Sequence, residues 1–240
     1  MALREEFVST GNWLFRWRSY LPLLLIVLFI PALRNFHYPF QSQALDNVFD
    51  CFCLLVSLAG LGVRIHTIGY AAVGTSGRNT VGQKAESLNT TGMYSVVRHP
   101  LYLGNFLMWF GISMVPRLWW FSLLVTLIYW LYYERIMFAE EEFLRGKFGD
   151  AYMQWSAVTP AFVPNIKGWR SPSQPFTLRT VLKKEHSGLF GLVGAFTFVD
   201  FLGDCFAQGK PVIDIMWTSI FTVTLILYLI IVVLNKKKLI

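Results

Sequence analysis

Two short charged segments of this chain contain residues whose types and spacing could support chemistry. The first is Arg98-His99-Pro100, which directly precedes an apolar run. The second is the run of three glutamates at 140–142, which follows the next apolar run. Proline suits the first turn of a helix, where free N–H groups favour an anion. The two segments therefore offer a cationic group and an anionic group.

Each segment alone also fits a purely structural interpretation. An Arg-His pair at a helix end is often a basic anchor at a membrane interface, and consecutive glutamates often form a solvated helix face. The runs 99–116 and 118–133 carry no Asp, Glu, Lys or Arg and are joined by a connection that allows only a tight hairpin. Because both helices rise about 1.5 Å per residue, we expect Arg98 and His99 to return close to residues 134–142.

The composition predicts that these helices lie in a membrane. The chain has 240 residues, of which 55% are hydrophobic and 15% charged, with a mean hydropathy of +0.48. Soluble domains carry roughly 25% charged residues, so a disordered chain is excluded and a soluble domain is disfavoured. Six charge-free runs predict spans at 19–33, 51–63, 99–116, 118–133, 186–199 and 215–234.

The basic residues predict the orientation of these spans. With six spans and cytoplasmic termini, 18 of the 21 lysines and arginines fall on the cytoplasmic side, as the positive-inside rule requires. The net charge of +7 is thereby explained by topology, and we expect no nucleic-acid partner. The prediction is an integral membrane protein, with the bacterial inner membrane favoured and the endoplasmic reticulum as the alternative.

Two motifs carry a resemblance to a known family. Residues 91–104 read T-G-M-Y-S-V-V-R-H-P-L-Y-L-G and resemble the G-x-Y-x-x-x-R-H-P-x-Y-x-G signature of isoprenylcysteine carboxyl methyltransferases and the related phospholipid methyltransferase-like membrane enzymes. Residues 140–168 resemble the E-E-x-x-L-x-x-x-F-G-x-x-Y block of that family and its proline-containing tail. The match covers about a third of the chain. Trp155 stands where many relatives have tyrosine.

The resemblance implies a methyltransferase that holds S-adenosylmethionine (SAM) on the cytosolic side of the membrane. Its cofactor-binding residues would be Arg98, His99, Pro100, Tyr102, Gly104, Glu140 and Glu141. The cofactor's carboxylate suits the basic segment and its ammonium group suits a glutamate. Neighbouring helical residues point about 100° apart, so we expect one glutamate to touch the cofactor and the other to hold Arg98 or a loop. The sequence assigns no catalytic residue.

The fold expected is an all-α, polytopic transmembrane helical bundle of about six spans, with a cofactor pocket in the C-terminal half at the cytosolic face. Residues 1–68 would form the first two spans, 69–168 the catalytic core, and 169–240 a linker and the last two spans. The acceptor would be a lipid or lipidated molecule with a carboxylate, a phosphate or an amine. Arg78 and Asn79 lie in a polar loop before the first motif, which we interpret as a substrate gate, although it also fits an ordinary flexible loop.

Two other function classes compete with methyl transfer. Sterol reductases that use NADPH carry a similar Arg-His-Pro-x-Tyr stretch, but a dinucleotide phosphate would favour further basic residues where this chain has acidic ones. A non-catalytic transporter would favour charged residues near the middle of spans. Five aspartates near the predicted outer ends of spans suggest interfacial carboxylates rather than an ion path. We expect no metal, and three scattered cysteines indicate small apolar core residues.

Overall fold

The structure, a computed structural model, describes residues 2–72, 74–75, 83–237 and 239. Within these residues the regular elements are helices, so the all-α prediction is confirmed. They are α1 (Leu3–Trp17), α2 (Phe29–Leu33), α3 (Gln43–Gly69), α4 (Pro100–Met114), α5 (Trp119–Phe148), α6 (Asp150–Val158), α7 (Leu178–Gln208) and α8 (Ile215–Lys236). A 3₁₀ segment, Leu21–Leu28, precedes α2.

Four of these helices, α3, α5, α7 and α8, are long and apolar enough to cross a membrane. A fifth candidate is the pair formed by α1 and Leu21–Leu33, which is bent by 76°. Helix α4, one of the six predicted spans, has 15 residues. At about 1.5 Å per residue it covers roughly 22 Å of a hydrocarbon core about 30 Å thick, because the helix begins only at Pro100 and ends before the hairpin.

Helix ends follow local sequence signals. Pro100 occupies the first turn of α4, where its missing N–H has no intrahelical partner to lose. The side chain of Ser42 accepts a hydrogen bond from the Leu45 N–H at the start of α3, and Asp214 accepts one from the Trp217 N–H at the start of α8. Gly149, with a φ of +52°, separates α5 from α6, because a positive φ is easily adopted by glycine.

Small residues bring α3 and α4 into backbone contact. A Cβ atom added at Gly60 would lie 2.4 Å from the Gly104 carbonyl oxygen, and one added at Gly111 would lie 2.5 Å from the Cys53 carbonyl oxygen. The Ser57 hydroxyl donates across the same interface to the Met108 carbonyl at 2.9 Å. Close approach through glycine and interhelical serine bonds are the main ways helices associate in lipid. This contact sets the position of α4 and of the motif at its N-terminus.

Two apolar clusters hold the remaining helices around this pair. One joins α2, α3, α4, α7 and α8 with the beginning of α5, and Phe29, Phe196 and Trp217 are among its buried residues. The other cluster packs α1, α4 and the middle of α5 together, around Phe15 and Tyr133. Helix α7 has 31 residues, and thus extends well beyond the predicted span at 186–199. Its two ends reach both ends of the bundle.

Two glycines on α3 provide a matched test of this packing. Gly60→Ala is expected to destabilise the protein by about 1–3 kcal/mol, since the added methyl group would collide with the α4 backbone. Gly62→Ala is expected to be neutral or slightly stabilising, because nothing lies within 4 Å of an added Cβ there and alanine is the better helix former. Thermal unfolding of both variants in detergent, followed by tryptophan fluorescence, checks this. Equal melting temperatures for both would contradict the α3–α4 contact.

Candidate active site

The α4–α5 hairpin brings the basic segment against the glutamates, as predicted. The Arg98 guanidinium donates to Glu141 Oε2 at 3.1 Å, and His99 Nε2 lies 2.9 Å from Glu141 Oε1. His99 Nδ1 lies 3.8 Å from Glu140 Oε2. The two oxygens of Glu141 therefore hold two neighbouring side chains at the N-terminus of α4. Glu140 lies on the Nδ1 side of the His99 ring.

The segment after α6 holds the backbone of the basic motif. The N–H of Arg98 donates to the Pro160 carbonyl at 2.8 Å, and that of His99 donates to Ala161 at 3.3 Å. The Trp155 indole N–H donates to the Tyr94 carbonyl at 2.9 Å. Trp155, where the sequence departs from many relatives, therefore takes part in positioning the motif. These bonds fix the backbone of Arg98 and His99 at the start of α4.

Aromatic rings form one side of the site. The His99 imidazole stacks on Tyr102, with ring centroids 5.7 Å apart, and Tyr102 contacts Tyr133 at 5.1 Å. The Tyr129 hydroxyl donates to the Tyr102 carbonyl at 2.6 Å. All three tyrosines are almost fully buried. Their rings fix the orientation of His99, and an aromatic face is a favourable neighbour for a cation.

Glu141 also lies near a buried phenol from α6. Burial, followed by the negative charge of Glu141, raises the pKa of Tyr152 above its usual value. Tyr152 is 1% exposed, and it therefore stays neutral at physiological pH. A neutral phenol and two basic side chains surround this carboxylate, which makes Glu141 the central acceptor of the site.

A cavity of about 950 Å³ opens beside these residues. Arg98, His99, Pro100, Tyr102 and Glu140 all line it. This volume lies in the range of roughly 300–1,000 Å³ that is typical of small-molecule sites. Apolar walls come from α1, α3, α4 and α5, with Phe15, Ile68, Leu101 and Phe143 as examples. The cavity thus combines charged groups with apolar surface.

The charges around the cavity are unequal. Among the described residues that line it, the basic ones are Arg18, Arg64, Lys84, Arg98, Lys147 and Lys184, and the acidic ones are Glu86 and Glu140. Two further carboxylates, Glu141 and Glu185, pair with Arg98 and Arg64 from behind the wall. Counting these, positive charge still exceeds negative charge, so the cavity attracts anionic groups.

One arginine of this wall belongs to a buried ion pair that ties three helices together. Arg64 on α3 donates to both carboxylate oxygens of Glu185 on α7, at 2.8 and 2.6 Å, and to the Asn105 side chain on α4 at 2.8 Å. Glu185 is 3% exposed. This pair was not predicted from the sequence. Arg64 and Glu185 each lie beside an uncharged run, but nothing in the sequence aligns the two helices.

Two of the remaining predicted site residues, Gly104 and Glu141, are not among the described residues that line the cavity. Gly104 faces α3, where an added Cβ would lie 2.5 Å from Arg64 Cγ. Glu141 lies behind Arg98 and His99. Arg78 and Asn79 lie outside the described residues, while Gly74 and Thr75 of the same polar loop line the cavity. Direct contact with a small molecule in this cavity is therefore open to Arg98, His99, Pro100, Tyr102 and Glu140.

Comparison with known proteins now bears on this geometry. The model of the phospholipid methyltransferase family matches residues 52–151, which contain both charged segments. A protein-S-isoprenylcysteine O-methyltransferase of Schizosaccharomyces pombe is 31% identical over 170 residues, covering 69% of this chain and 65% of that protein. A nickel-cobalt-cadmium resistance protein of Alcaligenes xylosoxydans xylosoxydans is 32% identical over 159 residues, covering 65% of this chain and 67% of that protein. The chain belongs to this methyltransferase family.

Other relatives share less of their length with this isoprenylcysteine methyltransferase-like chain. A cobalt-zinc-cadmium resistance protein of Cupriavidus metallidurans is 33% identical over 122 residues, covering 50% of this chain and 54% of that protein. The chain thus spans about half to two thirds of the length of the curated relatives it matches. No solved structure matches. The resemblance given by the two motifs is confirmed at the level of the family.

The Arg64–Glu185 pair gives a test of how the methyltransferase-like core is held. Glu185→Gln leaves a buried guanidinium without its counter-charge and is expected to destabilise the protein by about 3–5 kcal/mol. A double variant, Arg64→Met with Glu185→Leu, is expected to recover most of this loss, since no uncompensated charge remains. Urea unfolding in mixed micelles gives the free energies of unfolding.

A matched control for this test is Glu142→Gln. Glu142 pairs with Arg4, whose side chain is 65% exposed, so the same chemical change should cost about 0–1 kcal/mol. A Glu185→Gln variant as stable as Glu142→Gln would show that Arg64 does not depend on its partner.

Proposed function

We propose that this chain transfers a methyl group from SAM to an anionic oxygen of a lipid or lipidated acceptor at the cytosolic membrane face. The observation that supports the proposal best is a pair of opposite groups in one cavity wall. Arg98 Nε is buried and has no hydrogen-bond partner among the described residues, and Glu140 lines the same cavity. Such a pair suits the carboxylate and the ammonium of an amino-acid group.

The residues present fit the cofactor that the family implies. Arg98 would hold the carboxylate, because its side chain lines the cavity and, while Nη1 donates to Glu141, its Nε has no hydrogen-bond partner among the described residues. Glu140 would hold the ammonium group. His99, Pro100 and Tyr102 would form the wall beside them, with Tyr102 and Tyr133 as aromatic faces for a sulfonium. Glu141 acts as a positioning residue that holds Arg98 and His99, and Gly104 lets α4 approach α3.

The excess of positive charge supports an anionic acceptor. Among the described residues, six basic side chains line the cavity, against two acidic lining residues and the carboxylates of Glu141 and Glu185 behind the wall, which leaves a surplus of positive charge. A carboxylate or phosphate would be attracted by this surplus, whereas a protonated amine would be repelled. The apolar part of the wall suits a lipid chain. A carboxylate or phosphate on a lipid is therefore favoured over an amine.

The chemistry needs alignment and exclusion of water more than a strong acid or base. When bound, SAM supplies an electrophilic methyl group on a positively charged sulfur. Because an anionic acceptor and a sulfonium would both lose their charge in such a transfer, water would stabilise the separated reactants more than the transition state. The apolar helices and the stacked tyrosines of this site keep water away, and Arg98 and Glu140 hold the geometry.

The orientation of the site rests on charge distribution. The cavity lies at the end of the bundle that carries Arg98, Lys147 and Lys184, and predicted cytoplasmic segments hold 18 of the 21 lysines and arginines. We therefore assign the cavity and both termini to the cytosolic face. The inner membrane of a bacterium is the favoured location. Reduction with NADPH is the competing activity, and binding measurements separate the two.

Glu140→Gln is expected to weaken the affinity for SAM by about tenfold or more, since a charge-assisted hydrogen bond contributes roughly 1.5–3 kcal/mol. Glu142→Gln, the same change two residues along α5, is expected to leave it unaltered, because Glu142 faces Arg4 and Arg145. Calorimetry with purified protein measures SAM, S-adenosylhomocysteine and NADPH in turn. Binding of NADPH alone would reverse the proposal in favour of a reductase.

The preference for an anionic acceptor gives a second testable prediction. Transfer from tritiated SAM in vesicles should label S-farnesylcysteine through its carboxylate, or phosphatidic acid through its phosphate, and should leave phosphatidylethanolamine unlabelled. Scintillation counting of the lipid extract gives the result. Arg98→Ala serves as the inactive control and Glu142→Gln as the active one. Labelling of phosphatidylethanolamine alone would show that the acceptor is an amine.

A further inference from the structure

We propose that the end of the bundle opposite the candidate active site binds one hard divalent cation between Asp46, Asp50 and Asp200. The carboxylates of these residues each offer an oxygen, and the three oxygens lie within 4.8 Å of one another. Asp46 and Asp50 share one face of α3 because they are four residues apart. Asp200 approaches from α7. The proposal is independent of methyl transfer.

All three carboxylates are removed from solvent. Asp46 and Asp50 are each 1% exposed, and Asp200 is 5% exposed. Buried carboxylates are costly unless they are paired or coordinate a metal. The sequence suggested interfacial carboxylates here, but the folded chain places them inside the bundle. A cluster so deeply buried is stabilised either by a compensating positive charge or by protonation of its carboxylates.

The surroundings compensate only part of this charge. Arg117, in the turn between α4 and α5, forms an ion pair with Asp46 and also donates to the His37 carbonyl. Among the described residues, this is the only ion pair that any of the three aspartates forms. With all three carboxylates ionised, the aspartates and one guanidinium would carry a net charge of −2. A divalent cation would neutralise it.

Two neighbouring acidic groups accept hydrogen bonds from other residues, although Asp204 Oδ2 is buried without a partner among the described residues. Asp204 accepts a hydrogen bond from the Tyr38 hydroxyl at 2.8 Å. The closeness of this carboxylate and, above all, burial raise the pKa of Tyr38 to about 12, so the phenol remains a donor. Asp214 caps α8 and accepts from Gln43 at 3.2 Å. These contacts hold two further carboxylates near the cluster without adding a positive charge.

A second observation points to a ligand in the cluster. Asp50 Oδ1 is buried and has no hydrogen-bond partner among the described residues, although Asp50 belongs to the group whose oxygens converge. A buried acceptor left without a partner is destabilising, and more so when it is charged. Coordination to a cation would satisfy this oxygen.

The ligand atoms define the class of cation. Three carboxylates supply oxygen only, the ligand set preferred by Mg²⁺, Ca²⁺ and Mn²⁺. Softer metals prefer the nitrogen and sulfur of histidine and cysteine, which the group does not include. Asp50 and Arg64 are fourteen residues apart on α3, so about 21 Å separates this site from the cavity wall. A cation here would tie α3, α7 and, through Arg117, the α4–α5 turn.

Titration of purified, EDTA-treated protein with Mn²⁺, followed by electron paramagnetic resonance, tests the site. We expect one saturable Mn²⁺ per chain that Ca²⁺ displaces. Asp50→Asn and Asp200→Asn should each weaken Mn²⁺ binding at least tenfold. Asp150→Asn makes the same chemical change at the exposed start of α6 and should leave binding intact.

Thermal unfolding supplies a second readout. The difference in melting temperature between Asp50→Asn and the unmodified protein should have opposite signs in EDTA and in saturating Mn²⁺. In EDTA, Asp50→Asn should melt at or above the temperature of the unmodified protein, because it removes an uncompensated buried charge. With saturating Mn²⁺, the unmodified protein should gain stability and Asp50→Asn should not. If Asp50→Asn fails to fold, the titration of the unmodified protein decides. Absence of saturable binding there, or binding unchanged by Asp200→Asn, overturns the proposal.

Discussion

The candidate site depends on one contact, the one that Glu141 makes with Arg98 and His99. Both oxygens of this carboxylate are used, one for each basic side chain. The contact joins the N-terminus of α4 to the second half of α5, and the backbone bonds from Pro160 and Ala161 hold the same residues from the other side. Arg98 is thereby held in the cavity wall, which Glu140 also lines.

The interface between α3 and α7 carries charge at both ends. Towards the cavity, Arg64 donates to both carboxylate oxygens of Glu185, and the Asn105 side chain and the Leu101 carbonyl accept further guanidinium bonds. At the other end, Asp50 and Asp200 approach each other without an equal number of cations. At the cavity end, the ion pair fixes the helices relative to each other. At the other end, a metal ion would balance the negative charge and coordinate the oxygen that lacks a hydrogen-bond partner.

Close packing in the membrane connects these features. Gly60 and Gly104 let α3 and α4 touch through their backbones, which places Arg64 within reach of Asn105 and fixes the height of the Arg-His-Pro segment. Lipid supplies no hydrophobic force between helices, so shape and buried polar contacts decide how they associate. The chain belongs to a methyltransferase family, and its proposed chemistry needs a positioned, water-poor site more than a special catalytic group.

Much of the candidate site followed from local patterns. The two charge-free runs and the short turn between them predicted that Arg98 and His99 would meet the glutamates, because helix rise is fixed per residue. Family membership followed from two motifs in order. The length of α4 did not follow, since a charge-free run does not show where a helix begins or ends within it.

The sequence by itself determined the membrane class, the hairpin and the opposite charges at its two ends, because these depend on composition and on spacing along one stretch of chain. Only the tertiary structure decided that Glu141 holds the basic side chains while Glu140 faces the cavity, that Gly104 serves helix packing, and that Arg64 meets Glu185 and Asp50 meets Asp200. The last two contacts, between α3 and α7, join residues more than 100 positions apart in the sequence. Their register is set by side-chain packing between helices, which no local pattern encodes.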